Sequence, residues 1–147
     1  MIERTGGTMI TMVRTIPALP VKRIATAVEF YHERMGFAAG YTDESFGIVT
    51  RDGVEIHLWA AADDTWSQRP EAMSSRPVVS GAESFLAGTV SCRIEVGGID
   101  ELYAEFKRSD VLYGSDTVVE GTAWGTREFP ALDLERNLLT FFERVAG

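Results

Sequence analysis

The sequence predicts an α+β protein in which two βαβββ modules form an incompletely closed barrel with a cleft. Three observations predict it. The order strand, helix, three strands occurs twice along the chain. The apolar positions of the first helix region, Val21, Ile24, Ala27, Val28 and Tyr31, recur 75 positions later as Val96, Ile99, Leu102, Tyr103 and Phe106. Finally, each unit is too small to bury its own apolar faces, so it must pack against its copy.

The elements follow in order. Residues 1–12, MIERTGGTMITM, have weak periodicity and two glycines, and read as a disordered leader. VRTIPALPV (13–21) is a short strand whose prolines suit a sheet edge or a strand end. In KRIATAVEFYHERMGF, Ile24, Ala27, Val28, Tyr31 and Met35 fall on one face of a 3.6-residue period, and Gly36 supplies the stop. Within AAGYTDESFGIVTRDGVEIHLWA, FGIVT and VEIHLWA form a hairpin through an Asp-Gly turn. In the second half TVSCRIEV is a strand and GGIDELYAEFKRSD a helix, and SDTVVEG, TREFPALD and LLTFFERV are three further strands. The single domain therefore spans 13–147, with repeats at 13–60 and 88–145 joined by a long polar loop, 61–87, that carries an isolated Trp66. Trp66 either closes over a groove or pins the loop to the surface.

Composition narrows the function. The 147 residues are 45% hydrophobic and 24% charged, an ordinary globular balance. A formal charge of −8, with 14 scattered basic residues, argues against nucleic acid, whose binding needs clustered Lys and Arg. A cationic ligand suits this field better, although acidity is also a common route to solubility. The lone Cys92 cannot form an internal disulfide, which fits a cytoplasmic location. No run approaches the ~20 apolar residues that span a bilayer, so no membrane partner is expected.

The duplication, with AVEFYHERMGF, DELYAEF and WGTREFPALDLERN, resembles the glyoxalase/bleomycin-resistance (vicinal oxygen chelate) superfamily over about residues 13–145, and within it the bleomycin-resistance proteins. The enzymes of that superfamily hold a divalent metal on His or Glu of the first, fourth, fifth and eighth strands. Here the corresponding positions carry Ile16, about Ser91 and about Thr140, none of them a useful ligand, and only the fourth strand offers donors, Glu55 and His57. These two share one strand face, and His57 reads as a sheet-face histidine hydrogen-bonded to a neighbour or lining the cavity. His32 is expected on the solvated side of its helix. No cofactor is expected, and the acid pairs Asp43-Glu44 and Asp63-Asp64 read as solvated loop carboxylates.

What remains is a binder. By the resemblance, Tyr41, Phe46 and Trp124 match aromatic positions around the drug, whose planar bithiazole stacks on flat rings while acidic groups favour its cationic tail. Glu55, His57 and Trp59 complete the candidate ligand-binding set. Tyr41, Phe46 and Trp59 could equally fill core, whereas Trp124, on the Gly121-to-Gly125 turn, has little core to enter. One of Phe141 and Phe142 should be core and the other face the cleft or the helix. Two departures from the family pattern stand out: Arg93 and Glu95 on the fifth strand, and Arg136 in DLERN where glycine is usual. The resemblance implies sequestration of a bleomycin-like antibiotic by a homodimer, either side by side or swapped through an N-terminal arm that carries Pro17 across. The competing reading is a metal-dependent lyase, isomerase or dioxygenase of the same superfamily.

Overall fold

The computed structural model describes residues 2–3, 9–61 and 90–146. The 61–87 connection and its Trp66 therefore lie, but for Ala61, outside the described residues. Ile2–Glu3 (β1) and Met9–Ile10 (β2) pair as a two-residue antiparallel ladder that joins neither of the larger sheets.

The first module runs β3 (Ala18–Val21), α1 (Ile24–Met35), β4 (Ala38–Thr42), β5 (Phe46–Arg51) and β6 (Val54–Ala60). The second runs β7 (Ser91–Glu95), α2 (Ile99–Arg108), β8 (Glu120–Gly121), β9 (Thr126–Leu132) and β10 (Leu138–Arg144). Their sheets have the same topology, β3-β6-β5-β4 and β7-β10-β9-β8, with the first strand parallel to the last and the other pairs antiparallel. Neither sheet closes into a barrel. Pro20 sits in β3, an edge strand, where its missing N–H interrupts no interior ladder.

Period-two alternation divides each sheet into a face under its own helix and an open face. Val49, Ile56 and Leu58 are buried against α1 together with Leu19, and Ile94, Phe129, Ala131, Leu139 and Phe141 are buried in the second half. Each such aliphatic or aromatic side chain contributes about 1.5–3 kcal/mol on leaving water. The two halves share one continuous core, as the repeat requires. Gly47 lies where β5 passes close to α1, and a Cβ there would come within 3.0 Å of Ile24 Cγ2. Gly36 ends α1 in the left-handed region (φ 75°), and the Phe37 N–H donates back to Tyr31 O at 3.0 Å.

One strand is much shorter than its sequence pattern suggests. Of SDTVVEG only Glu120 and Gly121 pair with β9. Upstream, the chain is taken up by a turn in which the Thr117 N–H donates to Gly114 O at 3.1 Å and the Gly114 N–H to Thr117 Oγ1 at 2.8 Å, leaving a single bridge, Leu112 to Ala131.

Two polar junctions tie the halves together. At one, the buried carboxylate of Asp133 accepts the Tyr31 hydroxyl (2.8 Å), Asn137 Nδ2 (2.9 Å) and the backbone N–H groups of Glu135 (2.9 Å) and Asn137 (2.8 Å). Asn137 Nδ2 also donates to Pro20 O at 3.0 Å. Burial pushes the Asp133 carboxyl above its usual range, and the same burial, with the nearby carboxylate, raises the Tyr31 phenol. At the other, Arg51 makes a two-pronged pair with Glu105 (2.7 and 3.0 Å) and donates to Met35 O at the end of α1 (2.7 Å). Desolvation also lifts the Cys92 thiol to about 11.

The DLERN turn keeps its tight geometry by holding Arg136 at φ 66°, a conformation that costs a residue bearing a Cβ. Arg136→Gly is expected to stabilise the protein by about 1 kcal/mol, a rise of roughly 3 °C in the melting temperature. Differential scanning calorimetry of the two proteins checks it.

Candidate ligand-binding site

The open face of the first sheet gathers most of the candidate residues because register forces it. Phe46 lies opposite Trp59, Ile48 opposite His57 and Thr50 opposite Glu55, so all six project to one side. The Phe46 ring meets Trp59 at a centroid distance of 4.6 Å and an angle of 53°, and His57 edge-on at 5.0 Å. Tyr41 reaches Phe46 from β4 at 6.4 Å. Phe46, His57 and Trp59 are half-buried and Tyr41 is 61% exposed, so this is an accessible aromatic surface and not core. Glu55 Oε2 and His57 Nε2 lie 2.6 Å apart, and Arg14 from the N-terminal arm approaches Glu55 at 3.6 Å.

Asp43 organises one rim of this surface. Its Oδ1 accepts the N–H groups of Ser45 and Phe46, both at 2.8 Å, and its Oδ2 accepts the Tyr41 hydroxyl at 2.8 Å. The Ser45 N–H, then the Tyr41 hydroxyl, hold its carboxyl below the usual range. Asp43 is thus more than the solvated loop acid expected of it. The signal was present in Asp-x-Ser at the start of a strand, an Asx turn.

The open face of the second sheet is organised by Glu128, which sequence reasoning missed. Its carboxylate pairs with Arg93 and accepts Thr126 Oγ1 at 2.6 Å and the Trp124 indole N–H at 3.2 Å. Trp124 is 69% exposed, so its ring lies on the surface, oriented by this one bond. Arg93 lies over the Phe142 ring at 4.6 Å and Arg144 near it at 5.8 Å, while Arg144 also pairs with Glu95 at 2.9 Å. Phe141 is core and Phe142 is on the open face, as the alternation required. Period-two spacing through Thr126, Glu128 and Pro130 would have placed Glu128 on this face, but nothing in it announces four converging donors.

The Arg93 guanidinium, more than any other group, holds Glu128 down to about 2 from 4.5. A depressed carboxyl adds stability that is fully present above the unfolded pKa and lost as pH falls through the folded one. Wild type is therefore expected to lose this increment between pH 4.5 and about 2, whereas Glu128→Gln starts less stable at neutral pH and shows a flatter profile across that window. Urea midpoints measured at intervals from pH 7 to acid check it.

The structure brings Tyr41, Phe46, Glu55, His57 and Trp59 together on one sheet. It places Trp124 on the β8–β9 turn of the other sheet, with no ring contact between the two sets among the described residues. His32 is exposed, with Nδ1 2.9 Å from Phe37 O. Among the described residues no three His, Cys, Asp or Glu side chains are grouped so as to hold a metal ion. Glu55 and His57 are two donors bonded to each other, and a pair of this kind does not by itself fit a resident divalent ion. No helix among the described residues is long and apolar enough to cross a membrane.

Two helix-backed sheets of this topology, each with an open face, define a member of the glyoxalase/bleomycin-resistance fold. The solved bleomycin-binding protein of Streptomyces verticillus in complex with copper(II)-bleomycin has this fold, with a TM-score of 0.65 and 23% identity over 95% of this chain and 99% of that one. The bleomycin resistance determinant encoded on transposon Tn5 superposes with a TM-score of 0.67 at 18% identity, over 90% and 98% of the two chains. A glyoxalase/bleomycin resistance protein/dioxygenase from Nocardioides gives 0.64 at 19%, over 95% and 88%. No family model matches the sequence. Bleomycin resistance proteins of Geobacillus stearothermophilus and Staphylococcus aureus are each 41% identical over 134 residues, 91% of this chain and 98% of theirs. The chain belongs to the bleomycin resistance protein family.

Proposed function

We propose that this protein binds a bleomycin- or phleomycin-type glycopeptide in the cytoplasm and sequesters it without changing any bond in it. The observation that carries the reading is the solvent-accessible aromatic array of Phe46, Trp59, His57 and Tyr41, with Glu55 and Asp43 at its edge. Flat rings stack on a planar heteroaromatic, and the carboxylates attract a cationic tail. Membership of a family named for bleomycin resistance supports the same ligand.

The binding unit is residues 13–147, working as a homodimer. Within one chain the aromatic array and Trp124 stand on different sheets. A two-fold pairing that sets the first sheet of one subunit opposite the second sheet of its partner joins them twice, giving two clefts per dimer. In each cleft Trp124 and the Arg93–Phe142 stack form the wall facing Phe46 and Trp59. Exchange of the N-terminal arm that carries Pro17 would take Ala18–Val21 with it and rebuild on the partner the ladder that here pairs with β6 of the same chain.

The test is a plasmid-nicking assay with iron-loaded bleomycin. Excess protein should abolish nicking, and drug released by denaturing the protein should have unchanged mass and full activity. Undiminished nicking, or drug returned with altered mass, would overturn the reading. Light scattering should give twice the chain mass.

A further inference from the structure

The duplicated halves are not equivalent where the hairpin of one meets the helix of the other, and the difference leaves a cavity. The β9–β10 turn has five residues, Asp133 to Asn137, and reaches into the first half. There Asp133 accepts the Tyr31 hydroxyl at 2.8 Å, Glu135 Oε1 accepts the Lys22 N–H at 3.1 Å, and Asn137 donates to Pro20 O at 3.0 Å. The matching β5–β6 turn has two residues, Asp52 and Gly53. The counterparts of Pro20, Lys22 and Tyr31, at the same spacing that relates the two helices, are Glu95, Gly97 and Phe106. Among the described residues no hydrogen bond from the β5–β6 turn reaches these three. They border instead, with Asp52 and Gly53, a cavity of about 700 Å³ between the halves.

That volume is in the range of small-molecule sites. Its accessible apolar lining is Val54, Val96 and Leu102, with Phe37, Phe106 and Phe141 beneath them as buried core. Its rim is acidic. Glu105 is matched by Arg51 and Glu95 by Arg144, but the carboxylates of Asp52 and Glu101 form no ion pair among the described residues. Gly53 has no atom within 4 Å of where a Cβ would lie, so the short turn leaves the entrance open.

We infer that this cavity is a second binding site, separate from the aromatic sheet faces, for a small organic monocation of the arylalkylammonium class. The ring enters the space that the longer turn fills in the other half, and the ammonium stays at the rim beside Asp52 and Glu101. The apolar lining takes the ring, and the four carboxylates of Asp52, Glu95, Glu101 and Glu105 outnumber the one lining arginine, Arg51, which favours a cation over an anionic ligand of the same shape.

The test uses three probes of one shape on the full chain: 2-phenylethylammonium, 2-phenylethanol and phenylacetate. In ¹H–¹⁵N spectra the ammonium should give saturable shifts at Gly53, Gly97 and Gly98, the alcohol weaker ones, and phenylacetate none. Asp52→Asn and Glu101→Gln should each weaken the ammonium roughly threefold and leave the alcohol unchanged. Leu102→Trp, which fills the cavity, should abolish binding while bleomycin titration is unaffected. The inference fails if no probe shifts these amides up to about 20 mM, a limit well above millimolar affinity. It also fails if phenylacetate binds as well as the ammonium, or if the shifts fall on Phe46 and Trp59. The bleomycin reading can fail or stand independently of each result.

Discussion

Replacing Asp133 with alanine is expected to destabilise the protein by about 3–5 kcal/mol, as removal of one partner from a buried charged network does elsewhere. Asp133 is 4% exposed and its two oxygens accept four hydrogen bonds, from the Tyr31 hydroxyl, Asn137 Nδ2 and two backbone N–H groups. Alanine leaves all four donors without this acceptor in a buried site, and each orphaned group costs about 1–3 kcal/mol. The damage extends beyond the turn, since Tyr31 belongs to α1 of the first half and Asp133 to the second. Tyr31→Phe removes one donor and leaves the carboxylate with three partners, so its cost should be nearer 1 kcal/mol. Denaturant unfolding of the three proteins measures both differences. A cost for Asp133→Ala no greater than that of Tyr31→Phe would mean that the network does not hold the halves together.

Phe46→Ala should have the largest effect on drug binding, a loss of roughly 30- to 100-fold in affinity, or about 2–3 kcal/mol, typical of a central aromatic anchor. Phe46 is the hub of its face, touching Trp59 at 4.6 Å, His57 at 5.0 Å and Tyr41 at 6.4 Å. Its removal takes away a stacking surface and also the packing that orients three neighbours. Stability should fall less than for a core phenylalanine, because the ring is only half-buried. Phe129→Ala, at a fully buried ring, provides the contrast, with an expected cost of about 3–5 kcal/mol. Isothermal titration with bleomycin, alongside thermal unfolding, separates the two effects. Unchanged affinity in a folded Phe46→Ala protein would remove this face from the binding site.

Much of the fold was legible because periodicity is a local signal. The 3.6-residue stripe of α1 is buried as expected at Ile24, Ala27, Tyr31 and Met35, with Val28 partly so. The Asp-Gly hairpin joins β5 and β6 at the expected positions. SDTVVEG misled because a strand needs a partner as well as β-forming residues, and the Gly114–Thr117 turn takes up the backbone first. The candidate site was legible where it depended on alternation along one strand: Glu55, His57 and Trp59 share a face, and Phe46 meets them across the ladder. Its supporting carboxylates were not. Glu128 and Asp43 matter through the donors that converge on them, and most of those come from other strands and from turns, Thr126 alone sharing a strand with its acceptor. The same holds for Asp133, whose Tyr31 partner is 102 residues away. Arg136 was visible as a departure from glycine, but only its φ of 66° shows that the turn keeps its shape regardless.

The central claim is that aromatic rings on the open sheet faces hold a glycopeptide drug, and tryptophan fluorescence during a bleomycin titration tests it most directly. The account predicts saturable quenching at micromolar drug or below, with one drug per chain. Quenching should be largely lost in a Trp59→Phe/Trp124→Phe variant, which keeps only Trp66 as a tryptophan fluorophore. Quenching that never saturates, or that persists undiminished in that variant, would contradict it.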